Sequence, residues 1–84
     1  MKEAVYVLER VDKEFLDKYL KGCKQLIEER NFILYQKGEA VITYIKMGRR
    51  IILSNKEVLT EIENELQERN SKFSLTTRLL SPKP

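Results

Sequence analysis

The stretch FILYQKGEAVITYIK, residues 32–46, decides the fold. Two runs rich in β-branched and aromatic residues, 32–37 and 40–46, flank Gly38-Glu39, and Gly-X is a two-residue connection between antiparallel strands. Pairing through that turn sets Tyr35 beside Ile42 and Lys37 beside Ala40. Ile33, Tyr35, Lys37, Ala40, Ile42, Tyr44 and Lys46 then share one face of the hairpin, and Phe32, Leu34, Val41, Thr43 and Ile45 share the other. Both faces are largely apolar. A small chain has enough helix to cover one of them, so the other needs a partner, because soluble proteins rarely leave a large apolar patch open.

Downstream of the hairpin, Met47-Gly48-Arg49 reads as a turn into a further strand, Arg50-Ile51-Ile52-Leu53. Ser54 and Glu57 have the spacing of a capping box. Val58, Leu59, Ile62 and Leu66 supply the apolar stripe of a helix that runs to about Arg69. Phe73 to Leu79 alternates and reads as a last strand, with Ser81-Pro82-Lys83-Pro84 expected as a loose tail. Upstream, Ala4 to Glu9 is apolar on both faces and reads as an internal strand. Asp12 is the expected N-cap of a first helix, with Phe15, Leu16, Tyr19, Leu20, Cys23, Leu26 and Ile27 on one stripe. That periodicity predicts a helix reaching Arg30-Asn31, with Gly22 inside it at a cost of about 1 kcal/mol relative to Ala.

The expected order is β-α-β-β-β-α-β in one domain over residues 1–80. This is an α+β sandwich of two layers, a mainly antiparallel sheet with two helices on one face. If 32–37 merely extends the neighbouring hairpin, the plan approaches a ferredoxin-like β-α-β-β-α-β.

Composition bounds the chemistry. The chain has 84 residues, of which 42% are apolar and 35% charged, so it is long enough for one small core and no more. It contains no His and one Cys. Imidazole-based catalysis, His-ligated metals, an intrachain disulfide and a multi-cysteine zinc site are therefore excluded. Cys23 falls on the apolar stripe and is expected to act as a small hydrophobe. The carboxylate pairs Glu28-Glu29 and Glu57/Glu61 are expected on helix surfaces, where nothing gathers them into a cleft for acid–base work. No enzymatic activity and no cofactor are expected. The start lacks the pattern of a signal peptide, and no apolar run approaches the ~18–20 residues of a membrane span, which makes a cytoplasmic location the expectation. Abundant Lys, Glu and Ile suit a hot environment, such as that of a thermophilic archaeon or an archaeal virus.

Charge is unevenly placed. The net charge is +3, and residues 31–54 alone carry +3, residues 55–69 carry −3, and residues 70–84 carry +3. The second helix is thus an acidic surface that would repel phosphates, while the hairpin end is basic. Tyr35 and Tyr44, read as lying on the uncovered sheet face, are candidate base-stacking residues. Lys37, Lys46, Arg49 and Arg50 are candidate phosphate contacts, the arginines offering planar, multidentate donors. The expected function is a small, basic, non-enzymatic protein that binds DNA or RNA through the basic hairpin and sheet face as a homodimer. The alternative is a protein-interaction or regulatory accessory module, whose contact surface would be the acidic helix 55–69 or an exposed edge strand.

The α-β-β-β-α order in the middle is similar to that of double-stranded-RNA-binding domains. Those domains place a basic cluster at the start of the last helix, whereas here Asn55-Lys56-Glu57 leads into acidic residues. Tyr44-Ile45-Lys46-Met47-Gly48-Arg49 resembles, over these six residues only, a segment of archaeal Alba chromatin proteins. Neither resemblance transfers site residues to this chain.

Overall fold

The computed structural model describes residues 3–80. The hairpin forms as its sequence demands. β3 (Phe32–Lys37) and β4 (Ala40–Ile45) pair antiparallel, with Tyr35 opposite Ile42 and Lys37 opposite Ala40. Gly38 takes φ +61° in the turn, a left-handed conformation that glycine adopts without a side-chain clash. β4 continues through a short 3-10 turn, Met47–Arg49, into β5 (Arg50–Leu53).

β1 (Glu3–Glu9) is internal, as its two apolar faces require. It pairs antiparallel with β5 on one side and with β6 (Ser74–Leu80) on the other. Its register sets Leu8 opposite Ile51 and Tyr6 opposite Leu53.

The first helix is shorter than its apolar period predicts. α1 spans Lys13–Lys21, and Asp12 caps it by accepting a hydrogen bond from the Phe15 N–H at 3.2 Å. Gly22 is the C-cap and not an interior residue. Beyond it the chain turns into a further strand, β2 (Lys24–Glu28), which pairs with β3. The Glu29 N–H donates to the Phe32 carbonyl at 2.8 Å and closes this second hairpin. Two influences outweigh the helical period here. Gly22 is a poor helix interior residue, and β3 has an open edge whose backbone groups need partners. Leu26 and Ile27, expected on a buried helix stripe, are instead 42% and 48% exposed on an edge strand.

The full sheet has six strands in the order β2-β3-β4-β5-β1-β6. Without the β2 strand and its partner β3, the remaining elements run β1-α1-β4-β5-α2-β6, the element order of the ferredoxin-like plan. The α+β two-layer reading therefore holds, with one strand more than the sequence pattern showed.

α2 (Lys56–Glu68) is capped by Asn55, whose side-chain oxygen accepts from the Val58 N–H at 2.9 Å, one residue later than the expected Ser54. Both helices lie on one face of the sheet. Phe15, Leu16 and Leu20 of α1 and Val58, Leu59, Ile62 and Leu66 of α2 are buried against Leu8, Ile42, Ile51 and Leu53. The register places those four strand residues on one face. Each fully buried Leu or Ile contributes about 1.5–3 kcal/mol relative to exposure, so this single cluster is the main source of stability. No helix among the described residues is long and apolar enough to cross a membrane. The expected tail, 81–84, lies outside the described residues.

Candidate nucleic-acid interface

The helices cover the face that carries Tyr35 and Tyr44. Tyr35 lies opposite Ile42, and Tyr44 opposite Ile51, both core residues. The two tyrosines pack as half-buried rings against that core. With Leu20, Cys23, Gln25 and Ile33 they line a groove of about 620 Å3 beside the end of α1, where the helix layer stops short of β2. Burial pushes the Tyr35 hydroxyl pKa above its ordinary value, and nearby Glu28 adds to the shift. The expectation that these rings stand on the uncovered face is therefore corrected: the residues do share a face, but it is the helix-packed one. The hairpin is apolar on both sides, so its pattern leaves open which side the helices take.

Lys37 is on the same side and is fully engaged. Its ammonium donates to the Glu61 carboxylate and to the Tyr19 hydroxyl, the latter at 3.0 Å, and lies 4.3 Å from the centre of the Tyr19 ring. Burial acts to lower its pKa, but the hydrogen bonds to Glu61 and Tyr19 outweigh burial and raise it. The residue ties the end of β3 to both helices. Lys46 lies 3.6 Å from Glu28, and Arg50 lies 3.4 Å from Glu9. These pairs are solvent-accessible, so each holds its partners by no more than about 1 kcal/mol.

Arg49 stands differently. It sits on the Met47–Arg49 turn, where Met47 is 84% exposed, and no ion pair engages it among the described residues. The turn is held against the loop after β1. The Arg10 N–H donates to the Gly48 carbonyl at 3.3 Å, and the Val11 N–H donates to the Arg49 carbonyl at 3.5 Å. Arg10 thus lies beside Arg49, and both are exposed. Gly48 takes φ +77°, and the Arg50 side chain runs so close that a β-carbon on Gly48 would sit 3.2 Å from its Nε. Arg10 and Arg49 are themselves left-handed, at φ +58° and +47°. Non-glycine residues in this region are strained and concentrate at functional sites.

The same end of the sheet also carries Arg30, on the β2–β3 turn. The Lys46 N–H donates to the Asn31 carbonyl at 3.0 Å and holds that turn next to the end of β4. Five cations, Arg10, Arg30, Lys46, Arg49 and Arg50, therefore meet three carboxylates, Glu9, Glu28 and Glu29, and the end is net positive. Arg10 and Arg30 were not among the sequence candidates. Neither belongs to a basic run, and only the pairing of loops brings them together.

No protein-family model matches this chain, and neither a curated protein nor a solved structure matches it.

Proposed function

We propose that this is a non-enzymatic protein that binds nucleic acid through the arginine end of its sheet. One observation carries the reading: two loops distant in sequence are bonded backbone to backbone, so that exposed Arg10 and Arg49 stand side by side next to Arg50. Guanidinium groups offer planar, multidentate donors that suit phosphate oxygens. The backbone strain at Arg10 and Arg49 fits positions held for a ligand and not for stability.

The half-buried tyrosines take no part, so the contacts are to phosphates and the binding is sequence-independent. Lys37 takes no part either, since Glu61 and Tyr19 already occupy it. Arg50 contributes by exchanging its exposed pair with Glu9 for a phosphate.

The test is fluorescence anisotropy with labelled DNA and RNA at a series of salt concentrations. The wild type binds with an affinity that falls steeply with salt. Replacing Arg10, Arg49 and Arg50 together with Ala weakens binding to every sequence alike and flattens the slope by about 0.9 per lost duplex-phosphate contact. Wild-type protein that shows no salt-dependent binding to any strand or duplex at low ionic strength removes the reading.

A further inference from the structure

A solvated antiparallel sheet normally alternates, with apolar side chains facing the core and polar ones facing water. The face opposite the helices departs from that rule. Its middle row runs Val7, Ile52, Thr43, Leu34 and Ile27 across β1, β5, β4, β3 and β2. Val5 and Val41 lie on one side of that row, and Ile45 and Phe32 on the other. Val41 is 49% and Ile27 48% exposed, and neither they nor the other apolar residues of this face belong to the core cluster. The rim is polar: Lys24 and Gln36 at one end, and the Glu9–Arg50 pair at the other.

We infer that a second copy of this chain covers this face, and that the two sheets pack face to face into a four-layer homodimer with helices outside. Three properties of the face favour a second copy. Apolar antiparallel sheets pack stably on one another with aligned strands, side chains interdigitating across about 10 Å. The area suffices: the five strands that carry the apolar row, at about 4.8 Å spacing, and three rows about 6.8 Å apart give roughly 490 Å2 per copy, or about 1,000 Å2 in total, the smallest area expected of a specific interface, while β6 adds a polar margin of Ser74 and Thr76. The rim carries both signs of charge, so a copy of the face meets its own kind without a uniform repulsive field. A chain of this size also gains most from a second core, because it buries a small share of its surface alone.

This inference does not rest on the arginine end. Sedimentation equilibrium across the micromolar range is expected to give twice the 10.0 kDa chain mass. Ile52→Lys and Leu34→Lys are expected to halve that mass while far-UV circular dichroism stays native. A photo-crosslinking residue at Val41 in otherwise unaltered protein provides a measurement that needs no disruptive substitution. It is expected to give a dimer adduct, and the same residue at Glu57 on the helix side none. A wild type of 10.0 kDa throughout, or equal adducts from the two positions, overturns the inference.

Discussion

On the proposed function, Arg49 is a single residue placed for binding at the expense of stability. Its φ of +47° lies where a side chain crowds its own carbonyl, at about 1–2 kcal/mol. A glycine at that position removes the strain and forfeits about 0.5–1 kcal/mol through its freer unfolded state. Arg49→Gly is therefore expected to raise stability by roughly 0.5 kcal/mol in urea titrations while weakening nucleic-acid binding. Asn70, at φ +55°, is the control: Asn tolerates this conformation through local hydrogen bonding, so Asn70→Gly is expected to leave stability nearly unchanged. A less stable Arg49→Gly would show that the guanidinium holds the turn together and is not kept for a ligand. Lys37 makes the opposite case. It is equally basic in sequence, yet its hydrogen bonds to Glu61 and Tyr19 make it part of the scaffold.

The caps separate what local sequence determines from what packing determines. Ser54-x-x-Glu57 has the pattern of a capping box, but the side chain that meets the α2 N-terminus is that of Asn55. Asn55→Ala is expected to cost about 1 kcal/mol by thermal or urea unfolding, and exposed Ser54→Ala a few tenths at most. Equal costs would mean that both side chains share the cap. The adjacent candidates differ by one position, and β5 fixes the choice by burying Leu53 in the core. The same logic sorts the other elements. The 32–46 hairpin was legible to the register, because a two-residue Gly-X turn admits few pairings. β2 was not legible, because Cys23, Leu26 and Ile27 continue the helical period of α1, and only the open edge of β3 selects a strand. The basic hairpin end could be read from composition. Arg10 could not, since its place beside Arg49 is made by hydrogen bonds between two loops. The faces shared by Tyr35 and Tyr44 followed from the pairing, whereas the side taken by the helices did not follow from a hairpin apolar on both sides.

At the scale of the whole molecule, the arginine end and the open sheet face adjoin at the rim that carries Arg50, and their coupling is measurable. Arg10 and Arg49 lie on loops at one end of the strands, and Arg50 opens β5 at that end on the polar rim of the face, while the apolar rows occupy the flat of the sheet. A face-to-face dimer therefore leaves both arginine ends exposed and doubles the number available to one long duplex. With three arginines per copy, each displacing about one counterion from duplex DNA, log affinity falls against log salt with a slope of about −2.7 for one end and about −5.4 for two. Ile52→Lys, which removes the second copy but no arginine, is thus expected to halve the slope on a long duplex. On a duplex too short to reach both ends, the variant and the wild type are expected to show the same slope, near the single-end value. An unchanged slope on the long duplex would mean that each copy engages nucleic acid independently even when paired. A slope that collapsed to zero would mean instead that the arginine end is assembled only within the dimer, contrary to the backbone bonds by which the Arg10 and Gly48 loops already hold each other within one chain.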